Sequence, residues 1–254
     1  MITLRRAKER RHKRDRERDV WLTFPARRRD SPLADGFGSL EYLAEIRLGP
    51  GAGLPQRPAH DAEIITYVAE GALAYDDGMG GSGVVYAGEF LRTTAARAVH
   101  PRETNASQTD RARVLQVWLR SSETSLATSH EQRRFTRAER RGRLSLVASP
   151  DGRSGSLHLR QDALLYSSLL EPGQHVVHAL SQARMAWLHL VLGAVSCDDF
   201  VLTTGDGAAV SGERAVSFTA LERSELLLID LAQESRAPPS QRAASADHDP
   251  VGPS

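Results

Sequence analysis

The chain has 254 residues, with 33 Lys and Arg against 32 Asp and Glu and a net charge of +1. That length allows two modest domains or one large β domain, and the balanced charge speaks against a protein that coats nucleic acid. A single cysteine, Cys197, excludes an internal disulfide or a thiolate metal cluster.

No apolar run approaches the roughly 20 residues that span a bilayer, and no apolar segment follows the basic N-terminus. The expected chain therefore has no membrane span and no secretory signal, and its single thiol suits the cytoplasm. Met1 to Asp19 is rich in arginine and lysine. It reads either as a solvated segment whose acids Glu9, Asp15 and Glu17 partly cancel the field, or as an attractor of acidic partners. Val20 to Phe24 forms a first strand, and Leu40 to Leu48 a second that Pro50-Gly51-Ala52-Gly53 breaks. Glu63 to Val68 is β-branched and aromatic, as strands prefer. Gly71 to Tyr75, Gly83 to Tyr86, Glu89 to Thr93 and Arg113 to Leu119 continue the meander. Asp76 to Gly81 supplies the glycines of a hairpin loop.

His130 to Arg141 is polar and reads as a connection between two halves. The strand rhythm then resumes at Leu144 to Ala148, Ser156 to Leu159, Leu164 to Leu170, Trp187 to Leu192, Phe200 to Thr203 and Leu226 to Leu231. Short strands at regular spacing, with almost no helical periodicity, give an all-β barrel or sandwich whose second half looks like a diverged copy of the first. From Glu234 the composition shifts to Ala, Pro, Ser and Asp without periodicity, which predicts a disordered tail.

Several stretches, in this order and spacing, resemble bacterial members of the pirin family: MITLRRAKER, DAEIITYVAEG, Ala87-Gly88-Glu89-Phe90, ETNAS before QVWL, EQRRF, SPDGRSGSL, and Gln161-Asp162 before Tyr166. The resemblance runs to about Leu231. It implies a bicupin, two double-stranded β-helix (jelly-roll) barrels packed face to face. The expected N-terminal domain covers residues 1–125, the C-terminal domain 126–233 and the tail 234–254. In the family the N-terminal barrel holds iron or a similar divalent metal on three histidines and one glutamate. Several bacterial members open the flavonol quercetin with dioxygen, and the animal members act as nuclear co-regulators.

Aligned on Asp61-x-Glu63-Ile64, the family's histidine-proline-histidine triplet falls on Arg57, Pro58 and Ala59. The following histidine-x-glutamate pair falls on Pro101 and Glu103. Only Glu103 remains of the four ligands. His60 and His100 are one residue out of place, which on a continuous strand turns a side chain to the opposite face. Glu63 is assigned the ligand face by the same odd-even count. Arg57 is expected to pair with Glu103 in place of the ion, the alternative being an arginine in water at the barrel rim.

His175 and His178 face opposite ways, His189 is expected to be half-buried, and Cys197 has nothing to lower its pKa. The expectation is a pirin-like protein with a degenerate site, catalytically weak or inactive, without a cofactor, and serving as a module for a small aromatic ligand or a protein partner. The alternative is a quercetin 2,3-dioxygenase-type enzyme that uses Fe, Ni, Mn or Cu on His60, His100, Glu63 and Glu103. Nucleic-acid association through the basic N-terminus is the third class, and the sequence does not set the oligomeric state.

Overall fold

The computed structural model describes residues 1–24, 33, 36–55, 61–78, 80–95, 102–123 and 127–233. The first eleven strands are Ile2–Arg5 (β1), Arg11–Arg14 (β2), Arg18–Phe24 (β3), Leu40–Leu48 (β4), Ala62–Glu70 (β5), Ala72–Asp76 (β6), Ser82–Tyr86 (β7), Glu89–Ala95 (β8), Arg102–Asn105 (β9), Ala112–Arg120 (β10) and Ser129–Arg134 (β11). A one-turn helix, Arg137–Arg140 (α1), is capped by Thr136 and leads into the second half. There follow Ser145–Ser149 (β12), Leu157–His158 (β13), Ala163–Leu170 (β14), His175–Ala179 (β15), Arg184–Leu192 (β16), Ala194–Cys197 (β17), Phe200–Thr203 (β18), Gly207–Ser211 (β19), Ala215–Ala220 (β20) and Ser224–Ala232 (β21). Among the described residues, no helix is long and apolar enough to cross a membrane.

Each half pairs a seven-stranded sheet with a smaller one. The first is β11-β8-β5-β10-β4-β3-β2 over β7-β6-β9, and the second is β1-β19-β16-β21-β14-β12-β13 over β15-β20-β17-β18. The order repeats: β10 lies between β4 and β5 as β21 lies between β14 and β16. The all-β bicupin expected from the sequence is the observed architecture.

The two large sheets pack against each other, so their central strands are buried on both faces. One core fills each barrel, and a third, built around Trp187, Phe24, Leu115 and Ile229, joins them. This is why β16 and β21 read as nearly unbroken apolar runs rather than alternating ones. Trp187 is fully buried, with Phe24 edge-on at 4.6 Å. It packs against Gly207, where an added Cβ would come within 2.3 Å of the indole. Burying such a side chain contributes on the order of 2–3 kcal/mol, so Gly207 is fixed by the packing of its neighbour.

The expected division near residue 125 is displaced by strand exchange. β1 adds to the C-terminal sheet along β19, and β11, placed by sequence in the second domain, adds to β8 of the first. Nor is Met1 to Asp19 a merely solvated run. The Ala7 amide and the Arg6 guanidinium donate to Asp206 at 2.7 and 2.9 Å, and Arg10 is buried. Arg10 and Arg113 both hold Glu45, Arg113 Nε at 2.8 Å, and they donate onward to the Gly205 and Val191 carbonyls of the other unit. The tail expected from residue 234 lies outside the described residues.

His189 sits inside this inter-domain network. It is fully buried rather than half-buried, because both faces of β16 are covered, and neither ring nitrogen has a hydrogen-bond partner among the described residues. Burial, aided by Arg10, pushes its pKa from 6.5 down to about 3. The unfolded chain therefore takes up a proton below pH 6.5 that the folded chain refuses, and stability is lost as pH falls through that window. His189→Leu is expected to raise stability by about 1–3 kcal/mol by removing unpaired polar atoms. The gap to the parent should widen from pH 7.5 to pH 5, as measured by urea unfolding. A gap that does not change with pH would contradict this reading of His189.

Candidate functional site in the N-terminal barrel

Glu103 projects from β9 of the small sheet, opposite Tyr75 of β6. Two positions on, Asn105 fixes the strand's exit: its Nδ2 donates to the Gly49 and Asp110 carbonyls at 2.9 and 2.8 Å, and its Oδ1 accepts from the Ser107 amide. With β9 so anchored, the Glu103 carboxyl crosses the barrel to the large sheet. Gln116 Nε2, on β10, donates to Oε2 at 3.1 Å and to Thr66 Oγ1 at 3.3 Å, and the Thr66 hydroxyl, on β5, donates to Oε1 at 3.5 Å. Part of the residue's surface reaches solvent, but the carboxyl is enclosed, and burial lifts its pKa from 4.5 to about 7 against the two hydrogen bonds. The barrel core around this cluster is aromatic and aliphatic. Tyr42 meets Trp118 edge-on at 5.5 Å, Ile64 lies beside Trp118, and Tyr75 packs against the same core.

Glu63 does not share this site. On β5 the even residues Ala62, Ile64, Thr66 and Val68 face the barrel, whereas Ile65 and Tyr67 face the other domain. Glu63 follows the odd set. It is fully buried, accepts from Thr94 Oγ1 at 2.7 Å, and its pKa is raised by desolvation. The odd-even count that gave Glu63 the ligand face is thus reversed: β5 begins at Ala62, and the count was carried in from positions 57 and 59, which lie outside the described residues. Arg57, Ala59, His60, His100 and Pro101 lie outside the described residues, and so does the expected Arg57–Glu103 pair.

The structure adds groups that sequence reasoning left out. Gln116 and Thr66 read as ordinary strand residues, and nothing local marks them as partners of Glu103. His130 lies in the charged stretch taken as a connection. The pairing of β11 with β8 instead sets it against Thr93, with Nδ1 3.0 Å from Thr93 Oγ1 and Nε2 3.2 Å from Asp77. Its ring is 5.3 Å from that of Tyr75, the cross-strand neighbour of Glu103. Nδ1 is hydrogen-bonded, whereas Nε2 lies within ion-pair distance of Asp77 without making a hydrogen bond. His175 and His178 point to opposite faces as expected, toward Thr219 on one and toward Asp230 on the other. Cys197 is buried, and its thiol is pushed up to about 11.

Among the described residues no three His, Cys, Asp or Glu side chains gather as a metal-binding group. Among the described residues Glu103 meets an amide and a hydroxyl and no imidazole, whereas iron, nickel or copper sites draw on imidazole donors. The described donor set does not fit the metal implied by the family resemblance. What it can do is accept and donate hydrogen bonds from a nearly neutral carboxyl, an amide and a hydroxyl inside an apolar barrel.

Residues 11–119 match the Pirin family model, and residues 146–231 match the quercetinase C-terminal cupin domain. A quercetin 2,3-dioxygenase of Escherichia coli K12 is 36% identical over 231 residues, covering 91% of this chain and 99% of the relative. A putative quercetin 2,3-dioxygenase of Pasteurella multocida is 32% identical over 203 residues, 79% of this chain and 86% of that one. The crystal structure of YhhW from E. coli superposes with a TM-score of 0.86 at 35% identity, covering 93% of this chain and all of that one. The structure of the same bacterial pirin in complex with nickel(II) gives a TM-score of 0.84 at 36% identity, covering 91% and 99%. With both cupin domains matched over most of its length, this chain belongs to the pirin family.

Proposed function

We propose that this protein is a pirin-family bicupin whose N-terminal barrel binds a small hydrogen-bonding aromatic ligand without a catalytic metal. The observation that carries this is the environment of Glu103. Its carboxyl is held by Gln116 and Thr66 in an aromatic-lined interior, with no second acid or imidazole bonded to it among the described residues. Small-ligand sites have this composition, mostly apolar walls with a few placed polar groups. The three other positions that the family resemblance assigns to histidine ligands hold Arg57, Ala59 and Pro101.

The nickel complex of the E. coli relative supports the alternative, a quercetin 2,3-dioxygenase-type enzyme on a rearranged site. That site would have to do without Glu63, which faces the other domain. Metal analysis of the purified chain, followed by quercetin depletion with added iron, nickel, manganese or copper, separates the two. The expected result is substoichiometric metal, saturable quercetin binding seen by fluorescence quenching, and no turnover. Stoichiometric metal with turnover would establish the enzyme reading instead. Restoring histidine at positions 57, 59 and 101 together is expected to restore metal affinity.

The proton on Glu103 gives a second test. Its folded-state pKa of about 7 lies above the ordinary 4.5, so between those values the folded chain keeps a proton that the unfolded chain has released. The stability this proton provides is full below pH 4.5 and is lost as pH rises through 7. Glu103→Gln, which cannot ionise, is expected to match the parent at pH 4 and to exceed it by about 1–2 kcal/mol at pH 8. A parent that outperforms the variant at pH 8 would mean that a cation, Arg57 or a metal ion, already sits on Glu103.

A further inference from the structure

Away from the barrel interior, a groove of ≈ 250 Å³ opens where α1 meets the C-terminal unit. Two carboxylates line it, and both are already matched. Glu171 lies 3.6 Å from Arg141, and Glu225 accepts from Arg140 Nη1 at 2.9 Å and from the Tyr67 hydroxyl. Two further arginines in the lining, Arg137 and Arg223, are exposed and have no ion pair among the described residues. Between these charges the wall is apolar. Leu192 is 47% exposed at the end of β16, just past the register shift after Leu190, with half-buried Leu169 and buried Leu170 in the lining beside it.

Unmatched guanidinium groups beside an exposed leucine fit one kind of molecule, an anion attached to an apolar body. Guanidinium forks recognise carboxylate and phosphate by paired charge-assisted hydrogen bonds. The volume lies just below the roughly 300 Å³ at which drug-sized sites begin, which matches a single ring.

We propose that this groove binds a single-ring organic anion, a phosphomonoester or carboxylate, with the anion on Arg137 and Arg223 and the ring against Leu192. The site is separate from the barrel and does not depend on what the barrel binds.

The full chain is titrated calorimetrically with phenyl phosphate, benzoate and inorganic phosphate. At least one ring-bearing anion is expected to saturate one site, with inorganic phosphate about tenfold weaker for want of the apolar contact. Whichever of phenyl phosphate and benzoate binds more tightly identifies the head group. The Arg137→Ala/Arg223→Ala double variant and Leu192→Asp are each expected to weaken binding about tenfold. Glu103→Gln should leave it unchanged. Arg223→Glu alone, just before β21 and not part of α1, provides a second route should the double variant melt early. The proposal is overturned if neither ring anion saturates, if inorganic phosphate binds as tightly as both, or if the arginine variants bind like the parent. Loss of binding in Glu103→Gln would place the anion in the barrel and overturn it as well.

Discussion

Side-chain alternation along β5 decides which groups can meet in this molecule. The strand is buried on both faces, so each residue commits either to the N-terminal barrel or to the seam between the domains. Thr66 goes inward, to the Glu103 carboxyl. Tyr67, its neighbour, goes outward and is fixed by Arg140 and Glu225 across the seam. A one-residue slip would exchange the two faces and put Tyr67 into the barrel, which ties the site to the register of the whole sheet. The exchanged strands β1 and β11 and the Arg10–Glu45–Arg113 cluster hold that register from either side.

Within that frame the barrel's chemistry follows from one enclosed carboxyl. An ionised carboxylate taken from water needs a cation or several donors, and without them it retains its proton. Gln116 and Thr66 supply two donors, which partly oppose the effect of burial and leave the group poised near neutrality. A carboxyl that titrates near pH 7 beside an amide and a hydroxyl offers both donors and acceptors, which is what the proposed ligand site requires. Tyr42, Trp118 and Tyr75 make the barrel core next to this cluster aromatic.

Much of this was legible in the sequence, the long apolar strands above all, whereas charged strands and most of the short strands of the second half's small sheet were not. Leu40–Leu48 was read to the residue, and most other strongly apolar strands to within a few residues, because β-branched and aromatic runs end at Gly, Pro and Asp. Charged strands were not. Arg11–Arg14 and Ser129–Arg134 carry no apolar periodicity, and only a partner strand far along the chain makes them β structure. Glu103 turns into the barrel, whereas Glu63, given the same face by the sequence, turns to the other domain: the odd-even count was carried in from positions before Ala62, where β5 begins. His189 was underestimated for a related reason. Its strand was recognised, but the burial of the strand's second face comes from the other domain, which no local pattern records.

The most direct test of the proposal that the barrel works without a metal is an anomalous difference map, recorded at the nickel absorption edge, from crystals grown in excess nickel(II). The account predicts no peak within coordination distance of the Glu103 carboxyl, with Gln116 and Thr66 still hydrogen-bonded to it. A fully occupied peak bonded to Glu103 and to imidazoles from His60 or His100 would contradict it and return the barrel to metal-dependent chemistry.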